Sequence, residues 1–183
     1  MRLEDLNALD ADAAARELLR CCGSSRWARR MAASRPFAGI EVMMTLADKS
    51  WEALDPADRL EAFAAHPKIG AGGAGPSPLR RAQASAGRGP GDGWPEHEQA
   101  GVADAAEATL LRLADANRDY EARFGYIFIV CATGKSAAEM LDLLERRLGN
   151  APETEMRIAA DEQRKITRLR LMKLVDGKQD TNR

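Results

Sequence analysis

Apolar residues recur through most of this chain at three- and four-residue steps, the period of a helix with one buried face. Leu3 to Cys22 is rich in Ala and Leu, holds no breaker, and predicts one helix stopped by Gly23. Ser25 to Ser34 predicts a short helix that ends before Arg35-Pro36, because proline disfavours helical dihedrals in the residue ahead of it. Phe37 to Ser50 predicts the next. Asp55-Pro56 joins an N-cap to proline at the first helical position, opening a helix to about Ala65 with Leu60, Phe63 and Ala64 as its apolar stripe.

The pattern then lapses. Gly70 to Gly93 holds eight of the fifteen glycines and reads as a long loop, of the kind that serves as a lid or an insertion. Periodicity returns in Val102, Ala106, Leu110, Leu113, Asn117, Tyr120 and Phe124, which mark one long amphipathic helix from about Pro95, capped by Gly125. Tyr126 to Ala132 (YIFIVCA) is strand-like, yet no other segment could pair with it in a sheet. It reads as a buried extended segment or an irregular helix. Ser136 and Glu139 have capping-box spacing ahead of Met140, Leu141 and Leu144, and Gly149-Asn150 closes that helix. Pro152 opens the last helix, to about Val175, ahead of a frayed polar tail at 176–183.

These elements predict an all-α fold: one compact domain of about seven to nine helices over 1–175, with no internal repeat. Composition agrees, since 34 alanines and only 5% aromatics suit a core made by helix-on-helix packing. With 27 basic and 28 acidic residues spread along the chain, nothing marks a surface for duplex nucleic acid or an anionic membrane. No apolar run approaches the roughly 20 residues that span a bilayer. The acidic opening MRLEDLNALD is unlike a secretory signal, so a cytoplasmic protein is expected. Cys21, Cys22 and Cys131 are too few and too badly placed for a disulfide framework, and read as small buried hydrophobes in a reducing compartment.

Several apparent motifs fail on context. Gly70, Gly72 and Gly75 fit G-x-G-x-x-G, but a helix precedes them and Pro76-Ser77-Pro78 follows, where a dinucleotide site needs a strand before and a helix after. Gly134-Lys135-Ser136 resembles the end of a P-loop, but Ile129 stands where the first glycine belongs. His66 and His97 are too far apart for a zinc pair, and no nucleophile elbow is present, so no metal is expected.

What remains is a set of polar residues at telling positions. His66 ends its helix ahead of Pro67, where the helix dipole favours an imidazolium, and a C-capping histidine is the simplest account. Glu98 lies in the first turn of the long helix, four residues before Val102, so it projects on the inward stripe beside Gln99. Such a carboxylate calls for a cationic or donating partner, though an ordinary first-turn acid would look the same. Arg170 shares a helix face with Ile166 and Leu174 and needs an anion, either a structural carboxylate or a substrate group.

In order along the chain, FAAHPKIG, EHEQAG, YEARFGYIFIVCATGKS, ERRLGN and ITRLRLMKLV resemble the OHCU decarboxylase family, named for 2-oxo-4-hydroxy-4-carboxy-5-ureidoimidazoline decarboxylase of uric acid degradation. The stretch Trp27 to Phe37 is similar to theirs as well, so the resemblance covers nearly the whole chain. It implies an all-helical, cofactor-free and usually homodimeric enzyme. Its small-molecule substrate is the product of 5-hydroxyisourate hydrolysis, which it converts to (S)-allantoin and carbon dioxide, with a possible functional coupling to the upstream hydrolase. Carried over by residue, His66 is the catalytic histidine and Glu98 its carboxylate partner, raising its pKa. Pro67 and Gln99 line the substrate site. The main chain of Phe128, Ile129, Val130, Cys131 and Ala132 hydrogen-bonds the ring and ureido amides. Arg170 is the anion-binding arginine, with Arg168 as the other register.

Two departures stand out. The family often has serine where this chain has Pro95, and the loop between His66 and Glu98 is longer than expected by roughly a dozen residues. A non-catalytic module of the same fold, or a lyase or hydrolase acting on another ureido compound, would share these features.

Overall fold

Every regular element among the described residues is an α-helix, as the periodicity predicts. A computed structural model describes the backbone of residues 1–66 and 96–176, and side chains for 1–66 and 108–176. The predicted loop at 70–93 and most of the predicted tail lie outside the described residues. Eight helices are seen there: α1 (Leu3–Ala8), α2 (Ala11–Cys22), α3 (Ser25–Ala33), α4 (Ile40–Glu52), α5 (Pro56–Ala64), α6 (Glu96–Phe124), α7 (Ala137–Leu148) and α8 (Pro152–Val175). None of the described helices is long and apolar enough to cross a membrane.

The chain forms two compact units, Met1–His66 with Ile158–Arg183, and Pro67–Arg157. In the first, α3 packs against α2, α4 and α5. Trp27 is its fully buried centre, with Leu18, Met31, Met43 and Phe63 also at 0% exposure. The two buried indoles are satisfied by carbonyls: Trp27 Nε1 donates to Ala47 at 3.0 Å and Trp51 Nε1 to Ala160 at 3.1 Å. In the second unit α6 packs on α7. Its core holds Leu113, Tyr120, Phe128, Ile129, Met140 and Leu144.

Capping chemistry sets most boundaries. Asp55 accepts from the Asp58 N–H ahead of Pro56, and Ser136 and Glu139 form the reciprocal box at α7. Gly23 and Gly125 end α2 and α6 with φ of 87° and 79°.

Three expectations need correction. The single helix over 3–22 is two, because Asp10 caps a new one by accepting from Ala13 N–H at 2.7 Å, with Leu9 extended ahead of it. The helix predicted from Phe37 starts at Ile40. The Phe37 N–H and carbonyl are both taken by the Asn7 side chain at 2.9 Å, which holds that residue outside the helix. On α5, Ala62 and Phe63 are buried while Leu60 and Ala64 are exposed, so the inward face is rotated from the predicted stripe.

Tyr126 to Ala132 is irregular, neither helix nor paired strand. None of the three cysteines forms a disulfide, and all are buried, as expected.

Candidate active site

His66 sits in the turn just past α5, its N–H bonded to the Phe63 carbonyl at 3.2 Å. The α2–α3 turn holds that corner in place. At Gly23 a Cβ would stand 2.6 Å from the Ala65 Cβ, and φ is 87°, so only glycine allows the two turns to close on each other without strain.

The imidazole is half-buried and held at both nitrogens. Nε2 lies 2.6 Å from Oε1 of Gln163, a side chain with no exposure. The Gln163 amide donates in turn to the Cys22 carbonyl and to Thr167 Oγ1, each at 3.2 Å. On the other side, Arg170 Nη2 lies 3.4 Å from His66 Nδ1, and Nη1 donates to the Cys21 carbonyl at 3.4 Å. Gln163, Thr167 and Arg170 are spaced by four and three along α8, so one helix face delivers all three.

This surrounding sets the protonation state. Burial pushes the His66 pKa below its ordinary value, the Arg170 charge pushes it further down, and the bond to Gln163 opposes them. Burial and Arg170 thus act against the imidazolium that a helix end would favour. Burial also raises the neighbouring thiols, Cys21 to about 12 and Cys22 to about 11, which keeps them protonated.

Of the two arginine registers, only Arg170 reaches His66. Arg168 is partly exposed and pairs with Asp48 at 2.8 Å. Arg170 also lines a shallow cavity of about 280 Å³ with Leu19, Gly23, Glu61 and Ala65. There it could meet an anionic group from solvent while still touching the imidazole.

The second unit holds the 126–132 segment. Phe128, Ile129, Val130 and Cys131 are buried and Ala132 is half-buried. Part of its main chain is already engaged, because the Ile129 carbonyl accepts from Arg147 Nη1 at 2.9 Å and the Cys131 carbonyl from Lys135 Nζ at 2.8 Å. The Ala132 carbonyl accepts from the Lys135 N–H at 3.1 Å.

Arg147 belongs to a buried network. Its Nε donates to Glu155 Oε1 at 2.8 Å, and its guanidinium lies over the Phe128 ring, 4.6 Å from the centroid. Tyr120 donates to the same Glu155 oxygen, and Asn150 to the other at 2.7 Å. Burial and that carboxylate raise the Tyr120 pKa, so the phenol stays a donor. Tyr120 also packs edge-on to Tyr126 and Phe128, which places these aromatics in a core cluster.

Among the proposed site residues, His66 and Arg170 are thus brought together. Pro67 lies outside the described residues. Glu98 and Gln99 are on α6, but their side chains lie outside them too.

Gln163, Arg147 and Glu155 escape a reading based on motifs. Gln163 does leave a trace: Ala159, Ala160, Gln163, Thr167 and Leu171 form a buried stripe, on which an amide is out of place. Among the described residues no cluster of three or more His, Cys, Asp or Glu could hold a metal ion.

A family model described as OHCU decarboxylase matches residues 7–172. The chain is 40% identical over 164 residues to the uric acid degradation bifunctional protein TTL of Arabidopsis thaliana, covering 86% of this chain and 46% of that protein. It is 27% identical over 172 residues to the 2-oxo-4-hydroxy-4-carboxy-5-ureidoimidazoline decarboxylase of Haloferax volcanii, covering 93% and 94%. The chain therefore spans about half the length of the Arabidopsis relative and nearly all of the archaeal one. Among solved structures, an OHCU decarboxylase crystallised in the presence of (S)-allantoin superposes with a TM-score of 0.68 at 37% identity, over 87% of this chain and 97% of that one.

Proposed function

The chain belongs to the OHCU decarboxylase family, and from that premise we propose that it decarboxylates 2-oxo-4-hydroxy-4-carboxy-5-ureidoimidazoline to (S)-allantoin in urate degradation. The observation that carries this reading is the placement of the His66 ring, with Nε2 2.6 Å from Gln163 Oε1 and Nδ1 3.4 Å from Arg170 Nη2.

The chemistry suits those residue types. The carboxyl group leaves a carbon that bears a hydroxyl and adjoins an imine, so the substrate supplies its own electron sink. The carbon–carboxylate bond breaks and its electron pair forms a double bond to the neighbouring ring carbon. The imine electrons move to the ring nitrogen, which takes a proton. The resulting enol loses its hydroxyl proton, and the carbon bearing the ureido group gains one from a single face.

The ring nitrogen takes its proton from solvent, and His66 is the group that accepts the enol hydroxyl proton and returns one to the ureido-bearing carbon; burial and Arg170 favour its accepting form. Arg170 orients the substrate carboxylate before release and offsets developing negative charge. Glu98, the carboxylate partner that the resemblance implies, acts in this reading through the substrate and not on Nε2, which Gln163 holds, and Gln99, Pro67 and the Phe128–Ala132 main chain position the ring and ureido groups. Because three carbonyls of that segment already accept internal bonds, a substrate would meet their remaining lone pairs and the segment's N–H groups.

A cytoplasmic homodimer, coupled to 5-hydroxyisourate hydrolase, completes the proposal. Three buried cysteines outside any disulfide suit a reducing compartment. Relatives named bifunctional extend well beyond the matched segment, which leaves them room for a second activity.

The test is to generate the substrate freshly from urate with the two upstream enzymes and follow allantoin by circular dichroism. Protonation in free solution has no facial preference, so the expected result is an (S) excess above the enzyme-free control. A racemate formed at the uncatalysed rate contradicts the proposal.

A further inference from the structure

We propose that Gln163 is a positioning residue that locks His66 in the Nε2–H tautomer and leaves Nδ1 as the nitrogen that exchanges protons with substrate. The role of Nδ1 rests on the decarboxylase reading above; the tautomer lock stands on geometry alone.

The orientation of the Gln163 amide is decided by chemistry. A backbone carbonyl can only accept, so the Gln163 atom 3.2 Å from the Cys22 oxygen is the NH2 group. The same group reaches Thr167 Oγ1, which uses its second proton. The Gln163 oxygen then faces His66 Nε2 at 2.6 Å, and an amide oxygen can only accept. Nε2 must therefore carry the hydrogen. In a neutral ring Nδ1 is left with a lone pair, and that lone pair faces a guanidinium donor at 3.4 Å. All the contacts agree on one tautomer. A flipped amide would set two acceptors against each other at the Cys22 carbonyl.

Burial makes the lock firm. Gln163 has no exposure, so water cannot substitute for it without opening the α8 face against the end of α2. A carboxylate partner on Nε2 would hold the same tautomer but favour the imidazolium. The neutral amide fixes orientation and leaves the ring a base.

The test uses full-length protein labelled with 15N-histidine. His66 and His97 are the chain's two histidines, so a His97→Gln variant assigns the spectrum. The expected result is a protonated Nε2 with a slowly exchanging proton and an unprotonated Nδ1. A His66 protonated at Nδ1, or a rapidly averaging ring in the wild-type protein, overturns the proposal. That measurement needs no substitution at Gln163.

In Gln163→Leu the slow Nε2 proton is lost, and kcat falls by about tenfold to a hundredfold with KM little changed, part of the 10²–10⁴ typical of general acid–base catalysis. A folded Gln163→Leu protein with wild-type kcat overturns the positioning role. A locked tautomer in a protein that produces no (S) excess overturns the decarboxylase reading and leaves the lock standing.

Discussion

The Arg147 network, drawn from α6, α7 and the first turns of α8, and the His66 cluster, drawn from the end of α5 and the later turns of α8, lie one in each compact unit and differ in how completely their polar atoms are used. In the first, a full ion pair is buried, with side-chain exposures of 9% for Arg147 and 0% for Glu155. Both carboxylate oxygens are occupied by donors, and the guanidinium reaches Glu155, a backbone carbonyl and an aromatic face. In the second, the buried member is a neutral amide, and the imidazole it anchors meets Arg170 only at 3.4 Å. A buried charge is tolerated only when its valences are filled, and a filled network has nothing left to offer a ligand. The anchored ring keeps a lone pair for chemistry. Near the 126–132 segment the polar groups satisfy one another; near His66 they leave one ring nitrogen for the base proposed above.

The comparison breaks most visibly at Glu155. Glu155→Ala leaves Arg147 buried without its anion and should lower unfolding free energy by about 3–5 kcal/mol, read by urea denaturation. Pairing Arg147→Met with Glu155→Leu removes both charges, and most of that loss should return. If the double variant is as unstable as the single one, the network is more than a matched pair.

Gly23→Ala probes the other unit. A Cβ there meets Ala65 at 2.6 Å on a backbone with φ of 87°, so stability should fall by about 1–3 kcal/mol. Activity should fall by more than the unfolded fraction explains, because the turn that carries His66 must move. Ser136→Ala serves as a stability reference: loss of the α7 cap should cost about 1 kcal/mol in thermal unfolding.

The pH response is subtler. Burial and Arg170 hold His66 below its unfolded pKa, so the unfolded chain takes up a proton first as pH falls. Stability therefore declines as pH drops from the ordinary histidine range through the lower folded value, and is flat in this respect above it. Decarboxylation should follow the same limb, lost as His66 protonates. A rate that rises on acidification would show that imidazolium is the working form.

Much of this was legible in the residues because caps and breakers act locally. Asp55-Pro56, Ser136 with Glu139, Gly23 and Gly125 announce their boundaries within one turn of chain. The split at Asp10 was hidden by strong helix formers on both sides, and the late start of α4 depends on Asn7, thirty residues away. The candidates His66 and Arg170 stand out by motif and helix face, but their contact and the direction of the His66 pKa shift do not. That direction depends on burial and on a guanidinium over a hundred residues distant in sequence. Gln163 and the Arg147–Glu155 pair are long-range partners that only the assembled helices reveal.

The central claim is that His66 moves the protons of a stereospecific decarboxylation, and circular dichroism of the product formed by His66→Ala tests it most directly. With the far-ultraviolet helical spectrum intact and substrate supplied fresh, the account predicts racemic allantoin at the uncatalysed rate, against an (S) excess for the wild-type chain. An undiminished (S) excess from a folded His66→Ala protein would contradict it.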